Sequence, residues 1–234
     1  MKDLPAVLPW QFRVAAVLER ENTADILVTR DGSSLSALSA ATRLGTTSSR
    51  RRFQALRINR GLEIVPLRGN VDTRLARVAD GTFDAIIIAI AGLKRLGRIR
   101  DVKFVELASS DFLPAGGQGA LAVETLASGE SDELGRALSA VNDARAFYET
   151  AAERAYLAAL DASCTTPVGV RATVANDQLA LATMLFSPDG ARELSESILE
   201  PLAPDLAPAA AHSSGKRLAE KMLARGAAAM LGRE

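Results

Sequence analysis

The chain has 234 residues, a length that suits one large domain or two ordinary ones, and its 48% of apolar residues is enough to bury a core. Lys and Arg (28) balance Asp and Glu (28), and aromatic residues are only 4% of the chain, which disfavours a broad nucleic-acid surface with stacking platforms. One Cys and one His cannot form an internal disulfide or a zinc site between them.

The first half of the chain predicts an α/β arrangement in which short apolar strands alternate with helices. A first strand at Phe12–Leu18 has no preceding strand to pair with. The later strands are predicted at Ile26–Thr29, Thr42–Gly45, Leu62–Leu67, Phe83–Ile90 and Lys103–Leu107, and the helices at Ser48–Arg60, Asn70–Ala79 and Ala91–Leu96. This alternation favours a mostly parallel sheet, and the continuous apolar run at Phe83–Ile90 favours a strand covered on both faces.

The second half predicts a different pattern, helix, three strands, helix. A glycine-rich loop, Leu113–Glu124, runs into a strand and is interpreted as a hinge or crossover between domains. The elements after it are a helix at Ala144–Leu160, strands at Val168–Ala175, Leu179–Phe186 and Glu193–Glu200, a loose connection at Pro201–Ala211 and a closing helix at Gly215–Leu231. Asn176-Asp177 between the first two of these strands is a hairpin signal.

Positive charge is concentrated between Arg43 and Arg100, where 13 Lys and Arg face four Asp and Glu, a local charge of +9. Within that stretch Leu44–Arg52 combines a glycine, four hydroxyl residues and three arginines at a predicted helix start, which is the composition of an anion site. The alternative is a capped helix with a solvated basic first turn. Three further arginines, predicted near the carboxyl ends of later strands, would join this site: Arg68, Arg74 and Arg95. We expect a small polyanionic ligand, because long nucleic acids favour a broad basic face.

The single cysteine, Cys164, has two possible interpretations. A lone cysteine is most often a small buried apolar residue. Cys164 lies instead on a polar loop between Ser163 and Thr165, where a thiol could be exposed and carry a covalent group. With no apolar run long enough to cross a bilayer and no recognisable leader, we expect a cytoplasmic protein without a membrane or nucleic-acid partner.

The chain resembles the porphobilinogen deaminases (hydroxymethylbilane synthases) along almost its whole length. The resemblance is carried, in this order, by K-D-L-P at Lys2–Pro5, A-A-V-L-E-R at Ala15–Arg20, G-T-T-S-S-R-R at Gly45–Arg51, L-R-G-N-V-D-T-R-L at Leu67–Leu75, D-A-I-I-I-A-I-A-G-L-K-R-L-G at Asp84–Gly97, L-P-A-G-G-Q-G-A-L at Leu113–Leu121, A-E-R-A-Y-L at Ala152–Leu157, C-T-T-P at Cys164–Pro167 and S-P-D-G at Ser187–Gly190.

The resemblance implies a monomeric transferase that joins four porphobilinogen units head to tail, releasing ammonia each time, to give hydroxymethylbilane for haem synthesis. It implies a dipyrromethane cofactor bound covalently through Cys164, and Asp3 as the catalytic carboxylate that stabilises the cation left by ammonia loss. Arg95 would bind the substrate. The remaining positions that match cofactor-binding residues are Lys2, Thr46, Thr47, Ser48, Arg50, Arg51, Arg68 and Arg74.

The implied fold has periplasmic-binding-protein-like α/β domains and a C-terminal α+β domain. We expect residues 1–18 and 113–140 to be the remnant of a first domain with its crossover, 19–112 a second domain, and 141–234 the domain that carries the cysteine. The alternative function is a non-catalytic polycarboxylate-binding module of the same architecture.

The sequence departs from the family at three places. It lacks a family stretch before Lys2, so we expect little or no activity from the chain as it stands. Ala162 and Ser163 replace a usual glycine pair, which is expected to strain the cysteine loop if positive φ is needed there. Ser49 replaces a usual leucine, Arg52 a usual neutral residue, and Gln11 a usual glycine.

Overall fold

A computed structural model describes residues 1–128, 131–202 and 207–233. Its strands are β1 (Phe12–Val17), β2 (Asp25–Thr29), β3 (Arg43–Gly45), β4 (Glu63–Val65), β5 (Ala85–Ala89), β6 (Phe104–Glu106), β7 (Ala122–Leu126), β8 (Val168–Ala175), β9 (Gln178–Phe186) and β10 (Glu193–Pro201). Its helices are α1 (Ser49–Ile58), α2 (Val71–Ala79), α3 (Ile90–Arg95), α4 (Asp132–Val141), α5 (Ala144–Ala159), α6 (Ala207–Ala224) and α7 (Ala227–Met230). The mixed α/β class is as predicted.

The largest sheet has five strands in the order β4-β3-β5-β2-β6. The expectation of a mostly parallel sheet is wrong, because β3 pairs in parallel with β4 and β5, whereas β2 pairs antiparallel with β5 and β6. The connection from β2 to β3 contains only a 3₁₀ turn at Leu35–Ala37 and no α-helix of the kind that parallel crossovers normally use.

Both faces of this sheet are covered, as the apolar run in β5 predicted. Ile86 and Ile88 of β5 lie in one buried cluster with Leu75 of α2, while Ile87 lies in another with Ala55 of α1. Side chains alternate between the two faces of a strand, so the two helices bury opposite faces of the sheet.

The C-terminal part has the predicted helix, three strands, helix arrangement. The strands form an antiparallel sheet in the order β10-β9-β8, and Asn176 and Asp177 turn between β8 and β9 with φ of 50° and 53°, as a two-residue type I′ hairpin requires. The closing helix begins earlier than predicted, at Ala207, and is interrupted at Gly226, which has φ of 91°. Residues 203–206 of the predicted loose connection lie outside the described ranges.

Within the described residues, strand β1 has no earlier strand to pair with, and it pairs antiparallel with β7, which follows the glycine-rich loop. Helix α4, which follows β7, was not predicted. In the described part of the chain, no helix is both long and apolar enough to cross a membrane. The division into three domains stays a prediction, although the three sheets fall one in each proposed domain.

Candidate functional site

The N-terminus of α1 is built from the hydroxyl residues that precede it. Ser48 is the N-cap, its Oγ accepting from the Arg51 amide at 3.4 Å, and the Thr46 Oγ1 accepts from the Ser48 amide at 3.1 Å. Thr46 is buried, whereas Thr47 is exposed. This capping fixes the first turn of α1 and so the directions in which Arg50 and Arg51 leave it.

Arg50 and Arg51 turn inward rather than toward solvent, and both meet the carboxylate of Asp25. The Arg50 Nη1 lies 2.6 Å from Asp25 Oδ2, and the Arg51 Nη2 and Nε lie 2.7 and 3.2 Å from Asp25 Oδ1. Asp25 is completely buried. Burial opposes its ionisation, but the two guanidinium charges outweigh that effect and hold the pKa of Asp25 well below its usual range.

Two contacts extend this cluster. Gln118 of the glycine-rich loop donates from Nε2 to Asp25 Oδ1 at 3.1 Å and to the Thr23 carbonyl at 2.7 Å. Arg50 also donates from Nη1 to the Leu113 carbonyl at 2.7 Å. Arg50 therefore ties α1 to the glycine-rich loop. Because Asp25 balances part of the positive charge, the α1 terminus is less cationic than the sequence alone indicated.

Arg51 lines a cavity of about 330 Å³ at the carboxyl end of β5. Five predicted site residues line this cavity together: Lys2, Asp3, Arg51, Arg74 and Arg95. The volume is at the lower end of the roughly 300–1,000 Å³ usual for small-molecule sites. Four cationic side chains around one carboxylate make this space suitable for a small ligand that carries several carboxylate groups.

Two of these side chains are held by backbone carbonyls at the cavity edge. Arg74 donates from Nε to the Gly69 carbonyl at 2.8 Å, and Arg95 donates from Nη2 to the Gly119 carbonyl at 2.6 Å. Lys2 is exposed at the cavity mouth, yet the surrounding protein partly desolvates it, and this desolvation together with the Arg51 charge lowers the pKa of its amine. Burial, followed by the Arg51 charge, also lowers the pKa of Arg74.

The glycine-rich loop forms one side of the cavity, and its glycines are required by close approach. Gly119 has φ of 83°, and a Cβ there would lie 2.3 Å from the Glu21 carbonyl oxygen. Gly117 has φ of 74°, and its amide donates to Glu153 Oε2 at 2.6 Å. The loop does cross between sheets, as interpreted from the sequence, but its backbone is held in place by buried partners.

Glu153 is the centre of a second buried cluster that the sequence reasoning missed. Its carboxylate pairs with the Arg20 guanidinium through two contacts of 2.9 Å and accepts the Ala172 amide at 2.8 Å. Arg20 follows β1, Ala172 lies in β8, and Glu153 lies in α5, so one carboxylate joins three parts of the chain. Arg20 and Glu153 each belong to one of the resemblance motifs, but the sequence does not show that the two residues pair.

The other predicted site residues lie outside the cavity lining. Arg68 is exposed after β4, while Thr46, Thr47, Ser48 and Arg50 form the capped start of α1. Arg52 is exposed, with its guanidinium 5.1 Å from the centre of the Phe53 ring.

Cys164 is exposed, so the alternative of a buried apolar cysteine is wrong. Its loop touches the start of α1, because Ser49 Oγ donates to the Thr165 carbonyl at 2.9 Å. The expected strain is also absent, since neither Ala162 nor Ser163 has a positive φ, and Asp161 adopts the left-handed conformation instead, with φ of 48°.

The fold and this cavity define a mixed α/β protein with a cation-rich cavity between its N-terminal residues, the five-stranded sheet with its helices, and the glycine-rich loop. Two family models match the chain: "Porphobilinogen deaminase, dipyromethane cofactor binding domain" over residues 1–133 and "Porphobilinogen deaminase, C-terminal domain" over residues 147–224. The chain belongs to the porphobilinogen deaminase family.

Relatives named porphobilinogen deaminase agree with this assignment. One from Campylobacter jejuni subsp. doylei is 36% identical over 197 residues, which cover 84% of this chain and 63% of the relative. One from Campylobacter fetus subsp. fetus is 36% identical over 234 residues, which cover all of this chain and 73% of the relative. The chain thus spans less than two thirds of the first relative's length and somewhat under three quarters of the second's.

Solved structures overlap only partly with the chain. A periplasmic binding protein with high arginine specificity from Salmonella typhimurium is 15% identical, covers 55% of each chain and gives a TM-score of 0.32. A substrate-binding domain of an amino acid transporter from Streptococcus pneumoniae is 20% identical, covers 56% of this chain and 57% of its own, and gives a TM-score of 0.37.

Proposed function

We propose that the chain is a porphobilinogen deaminase-type transferase. The reaction joins four porphobilinogen units head to tail into hydroxymethylbilane, and one ammonia leaves for each bond formed. The observation that carries the proposal is the single cavity in which Asp3 faces Lys2, Arg51, Arg74 and Arg95. Each porphobilinogen unit carries two carboxylates, and guanidinium groups match carboxylates through paired donors.

The cationic residues would bind and orient the pyrrole side chains. Lys2, Arg51, Arg74 and Arg95 line the cavity, and we assign the carboxylates of cofactor and substrate to them. The more distant predicted residues would extend this binding along the α1 start and the β4 end: Thr46, Thr47, Ser48, Arg50 and Arg68. Within this group, the burial of Arg50 against Asp25 favours an orienting role over direct contact.

Asp3 would provide the acid–base chemistry. Its carboxylate is exposed at the cavity wall, where it can stabilise the positive charge that develops on the substrate ring as ammonia leaves. The same carboxylate can accept the ring proton that must be lost when the new bond forms.

The residues present suit the dipyrromethane cofactor of this family, because its carboxylates would meet the cavity cations. We propose Cys164 as its covalent attachment point, supported by the exposed sulfur and by the contact between its loop and the start of α1. When bound, the cofactor supplies the terminal pyrrole carbon to which the first substrate unit is joined.

The proposal is tested by incubating the full chain with porphobilinogen and measuring ammonia release, linear tetrapyrrole formation and intact protein mass. We expect a pyrrole adduct on the protein and only slow product formation, because the chain lacks the family stretch before Lys2. Asp3→Asn should lower that slow rate by about a further 10²–10⁴-fold, the range for loss of a general acid–base group. Asp101→Asn, an exposed aspartate outside the cavity, should not change it. If the wild-type chain formed no adduct and released no ammonia, that result would contradict the proposal.

The alternative of a non-catalytic polycarboxylate-binding module is not favoured, and the same experiment separates it. Such a module would bind a pyrrole dicarboxylate without releasing ammonia.

We further propose that the protein is a monomer that acts in the cytoplasm. The cofactor cysteine would then remain reduced, and light scattering of the loaded chain would test its oligomeric state.

A further inference from the structure

The loop that carries Cys164 is held at both of its ends by side chains from distant parts of the chain. At its start, Arg233 donates from Nη1 to the Leu160 carbonyl at 2.6 Å and from Nη2 to the Asp161 carbonyl at 2.7 Å. At its end, Ser49 donates to the Thr165 carbonyl at 2.9 Å. Arg233 follows α7 near the C-terminus, and Ser49 is the first residue of α1.

Between these two anchors the loop is tied to itself by hydroxyl groups. The Ser163 amide donates to Thr166 Oγ1 at 3.0 Å, and Ser163 Oγ lies 2.9 Å from Thr165 Oγ1. These bonds fix the backbone on either side of Cys164 while the sulfur remains exposed. Ser49 and Ser163 are both departures from the residues that the family resemblance leads one to expect.

The second anchor places the Cys164 loop beside the first turn of α1, the helix that also supplies Arg51 to the cavity lining. Ser49 precedes Arg51 by two residues in the same helical turn, and Arg51 is the α1 residue that lines the cavity. Fixing Thr165 to Ser49 therefore fixes the neighbouring Cys164 to the element that carries a cavity cation. The first anchor prevents the loop from pivoting about its start at Asp161.

We propose that Arg233 and Ser49 are positioning residues that hold the Cys164 loop so that a group carried on the sulfur enters the cavity lined by Arg51. The inference rests on the proposed function, in which Cys164 carries the cofactor. The simpler explanation for Arg233 is that it caps the carbonyl end of α5, since a cation at that position stabilises a helix. The two explanations differ in what happens to catalysis.

The test compares Ser49→Ala, Ser49→Thr and Arg233→Ala with two matched controls. Arg225→Ala removes an arginine that also donates to a backbone carbonyl, that of Ser195, at a site away from the loop. Ser110→Ala removes an exposed hydroxyl that bonds only locally, to Asp111. Hydrogen exchange of residues 161–167 is measured on the full chain without any pyrrole, followed by the rate of adduct formation and by kcat and KM with porphobilinogen.

We expect exchange at residues 161–167 to accelerate about two- to tenfold in Ser49→Ala, the factor that corresponds to loss of one ordinary hydrogen bond. The acceleration should be larger in Arg233→Ala, which loses two hydrogen bonds from a charged donor. Adduct formation and kcat should fall by a similar factor while KM stays within twofold, because the cavity cations are untouched. Ser49→Thr should restore both, since it keeps the hydroxyl.

If Ser49→Ala and Arg233→Ala exchange no faster than the Arg225→Ala and Ser110→Ala controls, the inference is overturned. Faster exchange with unchanged adduct formation and kcat would overturn it as well, leaving only a helix cap. If the wild-type chain forms no adduct, the proposed function fails, and the inference is judged by exchange together with the alkylation rate of Cys164, the only cysteine of the chain. If Ser49→Ala and Arg233→Ala then show the same exchange and the same alkylation rate as the wild-type chain, the positioning role of these two residues is rejected independently of the proposed function.

Discussion

Replacing Asp25 with Asn is the most informative single change, because one buried carboxylate organises the arginines of the site. Asp25 accepts hydrogen bonds from Arg50, Arg51 and Gln118, and it has no exposed surface. Asn has almost the same shape but no charge, and one of its two oxygens is replaced by a donor. The variant thus leaves two buried guanidinium groups without their counter-charge.

The expected cost follows from that imbalance. Removing one partner of a buried ion pair costs about 3–5 kcal/mol, a large part of the roughly 5–15 kcal/mol that stabilises a typical protein. For a chain of this size the melting temperature should fall by about 6–20 °C, at about 2–4 °C per kcal/mol. An exposed pair is worth about 0–1 kcal/mol, so Asp101→Asn, which removes a partner of Arg98, serves as the control.

The effect should also depend on pH in a defined direction. The folded-state pKa of Asp25 is depressed, so its contribution is present above the unfolded-state pKa of about 3.9 and is lost as the pH falls toward the folded-state pKa. The difference in unfolding free energy between wild type and Asp25→Asn should therefore be constant from about pH 5 to 8 and shrink in acid. Urea unfolding of both proteins, from about pH 8 down into the acid range, measures this difference. A difference no larger than that of the Asp101 control would refute the reasoning.

Three further predictions concern other parts of the molecule. Glu153→Gln should lower the free energy of unfolding by about 1.5–3 kcal/mol in urea titrations, because Arg20 loses its closest charged partner and keeps only Glu149. Arg74→Ala should weaken binding of a pyrrole dicarboxylate about 10- to 100-fold by calorimetry, the loss of one charged contact, whereas exposed Arg98→Ala outside the cavity should leave it unchanged. Tyr156→Phe should lower the free energy of unfolding by about 1–3 kcal/mol in thermal unfolding, because the buried Thr183 hydroxyl donates to the Tyr156 phenol oxygen at 2.7 Å. The phenol is itself buried, which raises its pKa, and an unchanged free energy of unfolding would contradict the prediction.

The sequence was sufficient for elements whose cause is local. The hairpin at Asn176 depends on two residues that tolerate positive φ, and the start of α2 depends on Asn70, whose side chain accepts from the Thr73 amide at 2.9 Å. The apolar run of β5 likewise indicated its burial on both faces. Helix α4 was not predicted, although Ser131 caps it and Asp132 and Glu133 lie in its first turn.

Strand direction and charge pairing could not be obtained in this way, because both depend on contacts between distant parts of the chain. Nothing local to Asp25 shows that its partners are 25 and 26 residues away, and nothing local to Arg20 points to Glu153. A charged residue at the head of an apolar strand was nevertheless a usable signal. Such a residue is almost never fully buried unless it is paired.

The buried carboxylates change how the arginine-rich stretch should be understood. Three adjacent arginines at a helix start oppose the helix dipole, so the sequence suggested that a bound anion compensates them. Arg50 and Arg51 instead have an internal anion in Asp25, and Arg52 lies against an aromatic ring. The charge of the helix start is therefore partly balanced without any ligand, and the contact with Asp25 keeps Arg51 oriented when the cavity is empty. A preorganised cation loses less entropy when a carboxylate arrives, so Asp25 would contribute to binding without touching the ligand.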